Sequence, residues 1–455
     1  MSTSFFSDLL QTISDRGRAL LERTGARRTD AGTRSEDFVE LCEELLSGRG
    51  EASGVALARE ILNRYEELTI GPRIHFFEAL AQRFGPDREL LEAAIKAWQE
   101  SPSDFTALRL HEAAEPRRQE LFRRLNLAPG GTAGLVRMRE QLIDAMDHRE
   151  DLAVVDADFV HLFSSWFNRG FLVLRRIDWS TPANILEKII KHEAVHKINS
   201  WDDLRRRIDP ADRHCYAFFH PALVDEPLIF VEVALMRDIP GAIAPILTAH
   251  RESIDPEKAT TAVFYSISNC QRGLAGVSFG NFLIKQVVEE ISRDIPRLSN
   301  FVTLSPVPGF AEWLRRERQA DKSLALSQED LEALTKLDVE GWWQRPDTRE
   351  GVQEPLLRAA AWYLLHGRNR RGLPVDPVAR FHLGNGARLE QIHFLADGSE
   401  NGMRQSFGVM VNYLYDLDDI EKNHEAYAAS RTIAASNAVK KLARAAPGEV
   451  VPLAS

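Results

Sequence analysis

Residues 261–310 read TAVFYSISNCQRGLAGVSFGNFLIKQVVEEISRDIPRLSNFVTLSPVPGF, and their pattern decides the fold class. Residues 261–268 are dense in aromatic and β-branched side chains, which predicts a strand. Gly273, Gly276 and Gly280 follow within eight residues. Phe282, Leu283, Val287, Val288 and Ile291 then recur at helical spacing, and Pro296 stops that helix. Residues 301–304 predict a second strand, running into Ser305-Pro306. Strand, glycine loop, helix and strand together make an α/β unit. A glycine loop that opens a helix leaves backbone N–H groups free and turns the positive end of the helix dipole toward its contents, which suits a pyrophosphate. The spacing G-x-x-G-x-x-x-G is neither the dinucleotide fingerprint nor a Walker loop, which needs Gly-Lys-Ser/Thr. On spacing alone, a phosphate cradle and a plain strand-to-helix connection are both open.

N-terminal to this stretch the pattern is helical. Residues 4–24 form an amphipathic helix, followed by a polar break at 25–35. Phe38, Leu41, Cys42, Leu45 and Leu46 make one apolar stripe; Ala56, Leu57, Ile61 and Tyr65 make another. Segments 72–84, 87–99, 103–113 and 116–126 repeat the theme, with breaks at Gly71-Pro72, Pro86-Asp87, Pro102-Ser103 and Pro129-Gly130-Gly131. Residues 1–175 are therefore expected to be an all-helical domain for support and oligomerisation. Within it, 151–168 carries Phe159, Leu162, Phe163, Trp166 and Phe167, a surface apolar enough for self-association. Thr181-Pro182 reads as an N-cap with proline at the first helical position, opening a helix over 183–194. Beyond 213 the texture changes. Strands are expected at 215–219, 228–235, 262–267, 301–304, 389–395 and 408–415, with helices at 240–248, 279–294, 308–320, 327–336, 350–366 and 420–445. The fold class is thus α+β and multidomain: a helical bundle, then a mixed α/β domain over 176–455.

Composition narrows the function. With 455 residues, 44% hydrophobic and 27% charged, the chain can bury a sizeable core. A net charge of −10 argues against broad nucleic-acid binding, though not against a small anionic ligand. Cys42, Cys215 and Cys270 are scattered and form no C-x-x-C pair, as expected for a reducing compartment. No apolar run approaches the ~18 residues of a membrane span. The first residues, MSTSFFSDLLQTISDRGRALLERTGARR, interleave Asp8, Asp15 and Glu22 with basic groups and lack the apolar core of a secretory signal, so the expected location is cytoplasmic.

Several motifs could carry chemistry. His192-Glu193-Ala194-Val195-His196 fits H-E-x-x-H, which on a helix holds zinc. No Gly-x-x-His extension follows; the nearest later acids are Asp202, Asp203 and Glu226, and a zinc hydrolase is the minor reading. Ser305 before a proline reads as a turn residue, and His382 lies on a Phe-His-Leu segment with apparent alternation. His220-Pro and Asn385-Gly386 read as turns. Asn412 and Tyr413 fall on a late strand, and Arg272 and Lys285 are candidates to contact phosphate or to sit in solvent.

Taken together, HPALVDEPLIFVEVAL (220–235), FYSISNCQRGLAGVSFGNFLIKQVV (264–288), LSPVPGF (304–310), DPVARFHLGNGA (376–387) and GVMVNYLYDL (408–417) resemble malonyl-CoA decarboxylases, as does EAVH (193–196). The resemblance covers about 180–440. It implies a catalytic domain of the Gcn5-related N-acetyltransferase (GNAT) type behind a helical domain. It also implies malonyl-CoA as substrate, with acetyl-CoA and CO2 as products. It further implies that Leu274, Ala275, Gly276, Val277, Ser278, Phe279 and Gly280 bind malonyl-CoA. Ser305 and His382 match the family's active-site serine and histidine: imidazole as proton donor, hydroxyl as its hydrogen-bonded partner and the proton acceptor in family terms. No metal and no organic cofactor is expected, because the thioester is itself the electron sink. A homo-oligomer, dimer or tetramer, is expected; nucleic acid and membrane are not. The alternative on the same fold is an acyl-CoA N-acyltransferase. A helical scaffold with a CoA-sensing domain is a further alternative.

Overall fold

The computed structural model describes residues 35–47, 50–147, 149–277 and 283–444. The helix expected over 4–24 lies outside them. The described residues form two compact units, one within 35–173 together with Phe219–Leu228 and 271–277, the other Leu174–Phe218 with Ile229–Cys270 and 283–444.

The described part of the first unit is built from helices Ser35–Leu46, Glu51–Glu67, Ile70–Arg83, Arg88–Glu100, Asp104–Ala114, Arg117–Asn126, Gly131–Met146 and Ala153–Trp166. Their starts follow the sequence signals. Asp87 accepts from the N–H groups of Glu89 and Leu90, and Ser103 with Thr106 closes a capping box. The apolar stripes meet in an aromatic core, where Phe38 packs edge-on to Phe76 at 4.7 Å and Phe122 stacks on Phe159 at 4.1 Å. Phe159, Leu162, Phe163 and Phe167 are all buried inside this unit. Apart from the half-buried Trp166, the apolar surface expected to drive self-association is therefore spent on the unit's own core. Behind it, Asp158 is fully paired, accepting from Arg118 Nε and Gln119 Nε2 at 2.5 Å each.

The second unit is a mixed α/β domain, as expected. Its strands are β1 (Val173–Ile177), β2 (Arg213–Phe219), β3 (Pro227–Met236), β4 (Thr261–Asn269), β5 (Asn300–Thr303), β6 (Ser305–Pro306), β7 (Arg388–His393) and β8 (Met410–Leu414), of which β1 and β3 begin in the first unit. The order is β1-β2-β3-β4-β5-β8-β6, with β7 also paired to β8. β3 and β4 are antiparallel, β4 and β5 parallel, and β8 antiparallel to β5, β6 and β7. β5 and β6 are one line of chain broken at Leu304, whose N–H still reaches the Phe264 carbonyl at 3.0 Å. Side-chain alternation then sorts the residues. Val302, Leu304 and Met410 join Ala234, Val263 and Tyr265 in one apolar cluster. Thr303 and Ser305 face the other way, as do Tyr413 and Tyr415.

Several boundaries differ from expectation. The helix expected at 240–248 is a single turn, Ala244–Leu247. The helix at 420–445 is two, Ile420–Ser430 and Asn437–Arg444, interrupted where Arg431 turns left-handed (φ 57) and Ala435 bridges to Leu389 beside β7. The Thr181-Pro182 cap shifts by one: Pro182 is the N-cap of Ala183–His192, and Thr181 Oγ1 instead accepts from the Asp178 N–H at 3.0 Å. β1 and the helix Trp201–Ile208 were not anticipated. The segment bearing His382 is a helix, Pro377–Gly384, not an alternating strand. Asp376 is its N-cap and Pro377 its first residue, the arrangement expected at Thr181-Pro182 but found here instead.

Candidate active site

Ser305 opens β6, opposite Val411 of β8. The Pro306-Val307-Pro308-Gly309 turn after it leads into the helix Phe310–Gln319. His382 stands in the last turn of Pro377–Gly384. The two side chains meet: Ser305 Oγ lies 3.2 Å from His382 Nε2. Ser305 Oγ also donates to Thr303 Oγ1 at 2.8 Å, and His382 Nδ1 lies 2.7 Å from the Tyr415 hydroxyl. With Ser305 donating to Thr303, every group is satisfied if His382 carries its proton on Nε2, donates to Ser305, and accepts from Tyr415. The imidazole stacks on the Tyr413 ring at 4.7 Å and 24°. Ser305 is 5% exposed and His382 3%, so water is nearly excluded from both.

That burial sets the electrostatics. It pushes the His382 imidazole down to about 3, so the ring is neutral when no other charge is present. Burial likewise raises the Tyr415 phenol, which keeps its proton.

The residues flanking this centre have their own partners. Asn412 Nδ2 donates to the carbonyls of Thr303 at 2.9 Å and Pro240 at 3.3 Å, and its Oδ1 contacts His393 Nε2, so the amide braces β5 against β8. Asn385 caps the helix by donating to the Phe381 carbonyl at 2.7 Å. His220 is fully engaged, its Nε2 at 3.1 Å from the Trp166 carbonyl and its Nδ1 accepting from the Ala222 N–H.

The glycine loop is described as far as Val277; Ser278, Phe279 and Gly280 lie outside the described residues. Arg272–Leu274 is a short 3-10 turn. Leu274 and Val277 are buried, Ala275 and Gly276 exposed, and Gly276 has φ +77. Arg139 Nη1 donates to the Gly273 carbonyl at 2.8 Å while Arg139 Nε holds Asp156 at 2.8 Å. The two cations proposed for phosphate contact are both in ion pairs: Arg272 with Asp144, and Lys285 with Glu421 at 2.5 Å.

The H-E-x-x-H run is not a helix. The helix stops at His192, and Glu193 is extended (φ −65, ψ 107), so the two histidines do not share a helical face. The Glu193 carboxylate instead accepts from the N–H groups of Val195 (2.9 Å) and His196 (2.6 Å) and from Ser266 Oγ and Ser268 Oγ. It fastens this loop to β4. Among the described residues, no group of three or more His, Cys, Asp or Glu is placed to hold a metal ion.

Sequence reasoning picked out Ser305, His382 and Tyr413 but passed over Thr303 and Tyr415. The available signal was period two: 303 and 305 share a face, and 413 and 415 share that same face on the neighbouring strand.

Comparison with known proteins identifies the family. A family model of the malonyl-CoA decarboxylase C-terminal domain matches residues 170–451, and one of the N-terminal domain matches 84–167. The chain is 36% identical over 417 residues to a protein of Anser anser anser named malonyl-CoA decarboxylase, mitochondrial, covering 84% of this chain and 82% of the relative. It superposes on the crystal structure of malonyl-CoA decarboxylase from Rhodopseudomonas palustris with a TM-score of 0.88 at 58% identity, covering 90% of this chain and 100% of that one. The corresponding enzyme from Agrobacterium vitis gives 0.86 at 58%, covering 90% and 99%. The chain therefore belongs to the malonyl-CoA decarboxylase family.

Proposed function

We propose that this chain converts malonyl-CoA to acetyl-CoA and CO2 with Ser305 and His382 as the catalytic pair and no metal. The observation that carries the reading is the 3.2 Å contact between these two buried side chains. When CO2 leaves, the C–C bonding pair passes into the thioester as an enolate, and a proton must then reach carbon. The overall reaction consumes one proton, and His382 supplies it. Burial alone leaves the ring neutral. A malonyl carboxylate entering this dry environment favours the imidazolium, because an opposite charge nearby offsets the desolvation. His382 thus takes up its proton with the substrate and returns it to the carbanion; Nδ1–H then donates to Tyr415. Ser305 Oγ holds the ring's Nε2 side and orients the leaving carboxylate. Tyr415 acts through His382 and is a positioning residue. The loop residues Leu274, Ala275, Gly276 and Val277, with Ser278, Phe279 and Gly280, take the CoA ester in this reading.

The test is a turnover assay with malonyl-CoA and no amine acceptor, quantifying acetyl-CoA and CO2 together. Equal amounts of both support the reading; release of CO2 only when an amine is added points to the N-acyltransferase alternative. The proton argument makes its own prediction. Binding of a carboxylated CoA ester that cannot decarboxylate takes up about one proton per site at pH values between about 3 and the pKa of the occupied His382, and across that window its affinity falls about tenfold per pH unit, levelling off above it. Binding of acetyl-CoA takes up none. Calorimetry in buffers of different ionisation enthalpy reads both, and equal uptake by the two ligands contradicts the proposal.

Self-association belongs to the same reading, on a different surface from the one expected. In the hairpin Arg88–Glu100 and Asp104–Ala114 only Ala94 is buried, and Leu90, Ile95, Trp98, Phe105 and Leu108 are exposed. A fully capped hairpin showing this much apolar surface fits a second copy of itself, related by a two-fold axis. Phe105→Asp combined with Leu90→Asp is expected to halve the mass by light scattering while leaving turnover per chain within about twofold; an unchanged mass removes this interface. Residence in the cytoplasm rests on the composition and on three buried free thiols, Cys42, Cys215 and Cys270. No described helix is long and apolar enough to cross a membrane.

A further inference from the structure

Within the first unit, the helix Gly131–Met146 carries the start of the glycine loop. Arg139 is buried on this helix and donates from Nη1 to the Gly273 carbonyl at 2.8 Å. Its Nε donates to Asp156 Oδ1 at 2.8 Å and its Nη2 lies 3.4 Å from Asp156 Oδ2, so the guanidinium is held from both sides. Gly273 itself presses on the same helix at Val136, too closely for any side chain. Next to it, Gln271 Nε2 donates to the Pro227 carbonyl at 3.1 Å, and Arg272 pairs with Asp144. Both partners of that ion pair are more than half exposed, so it contributes little. The buried bond from Arg139 is the one that fixes the loop.

The Gly273 carbonyl is a consequential place to hold. A peptide group is planar, so fixing that oxygen fixes the direction of the Leu274 N–H in the same plane. The Leu274 N–H turns back to the Gln271 carbonyl, the Ala275 N–H to the Arg272 carbonyl and the Val277 N–H to the Leu274 carbonyl, each at 3.0 Å. The Gly276 N–H has no partner among the described residues. Gly276 is exposed at a left-handed turn (φ +77), with nothing within 4 Å of where a Cβ would be. The turn that Arg139 holds thus leaves one backbone donor available, of the kind that an anionic oxygen accepts from.

We infer that Arg139 is a positioning residue for substrate binding: from the helical unit it holds the Gln271–Val277 turn in the shape that takes the CoA ester. This rests on the reading above that Leu274–Val277 contact the ester. It goes beyond that reading by giving a helix expected only to support and oligomerise a share in affinity. The effect works through populations. Apparent affinity falls with the fraction of chains whose loop is competent to bind, and the bond from Arg139 keeps that fraction high. Arg139 does not touch Ser305 or His382, so the chemical step at saturation is left alone.

The test uses the full-length enzyme. Lysine keeps the charge but lacks the guanidinium fork, so Arg139→Lys can serve Asp156 or Gly273 but not both. KM for malonyl-CoA and Kd for acetyl-CoA, read by calorimetry, are expected to rise together about 10-fold, with kcat within about threefold of the parent. Asp156→Asn keeps the arginine and loosens one side of it, so the same two constants should rise by a smaller factor. Phe38→Leu weakens the same unit through its aromatic contact with Phe76 instead. It should lower the melting temperature and leave both constants unchanged. A rise below about threefold in either constant for Arg139→Lys overturns the inference. So does an equal rise in Phe38→Leu, or a loss confined to kcat. If Arg139→Lys fails to fold, Asp156→Asn against Phe38→Leu decides alone: a rise in both constants for the first only supports the inference, and any other result overturns it. Ala275→Glu, at an exposed loop position, tests the loop reading itself by placing a carboxylate where the ester's phosphates are expected. Normal acetyl-CoA binding there defeats the loop assignment and this inference with it; weakened binding there, with a normal Arg139→Lys, defeats only this inference.

Discussion

His382→Ala is expected to lower malonyl-CoA turnover by about 10²- to 10⁴-fold, with substrate binding changed far less. Among the described residues, the imidazole is the only ionisable side chain in hydrogen-bond contact with Ser305. Without it the enolate must wait for a proton from water, which the burial of both side chains keeps away. Truncation also strips the Tyr415 hydroxyl of its 2.7 Å partner, so a folding control is needed. His382→Gln fills most of the space and can still reach one neighbour. It should melt close to the parent and be as inactive as the alanine variant. Ser305→Ala should fall in the same range, since Ser305 Oγ fixes the Nε2 side of the ring. Near-normal turnover in either variant, with melting unchanged, removes that residue from the mechanism.

Gly273→Ala carries the largest expected effect on stability. A Cβ at this position would lie 2.0 Å from the Val136 carbonyl oxygen and 2.9 Å from its carbon. Both are backbone atoms within the helix Gly131–Met146 and cannot rotate away. The Gly273 carbonyl is meanwhile held by Arg139 Nη1, itself 3% exposed. Relief requires the loop to lift, giving up that bond and leaving a buried guanidinium short of a partner. Overpacking alone costs about 1–3 kcal/mol, and the lost charge-assisted bond adds to it. The apparent melting temperature should fall by several degrees, and Gly276→Ala, whose Cβ would meet nothing within 4 Å, should fall less. Its left-handed φ of +77 leaves Gly276→Ala a smaller backbone penalty of its own. Equal losses in the two would mean the contact with Val136 does not constrain the loop.

Much of this was legible in the chain. The helical bundle could be read because its stripes keep helical spacing and its breaks carry Pro, Gly and capping residues. The central strands could be read because 228–235 and 262–267 are apolar on both faces, as strands covered on both sides must be. The difficulty lay where short polar segments take their shape from distant partners. His382 was placed on an alternating run because Phe-His-Leu mimics one, although Asp376-Pro377 already announced a helix. Ser305 looked like a turn residue because proline follows it; only pairing with Val411 makes it a strand. The H-E-x-x-H run shows the converse. Its letters fit a metal helix, but the Glu193 carboxylate is consumed by four neighbours, two of them serines on a strand more than seventy residues away. Tyr415 and Thr303 were missed because a side chain's partner across a sheet depends on register, which spacing along one strand does not reveal.

The bridge between Leu389 and Ala435 has a wider consequence. β7 pairs with β8 on one side only, and a half-paired border strand is an invitation to foreign chains. Here the Leu389 N–H reaches the Ala434 carbonyl at 2.9 Å, and the Ser436 N–H returns to the Leu389 carbonyl at 2.9 Å. The chain sews its own hem, so the sheet holding the serine ends in a finished seam at β7 instead of a template for fibre growth.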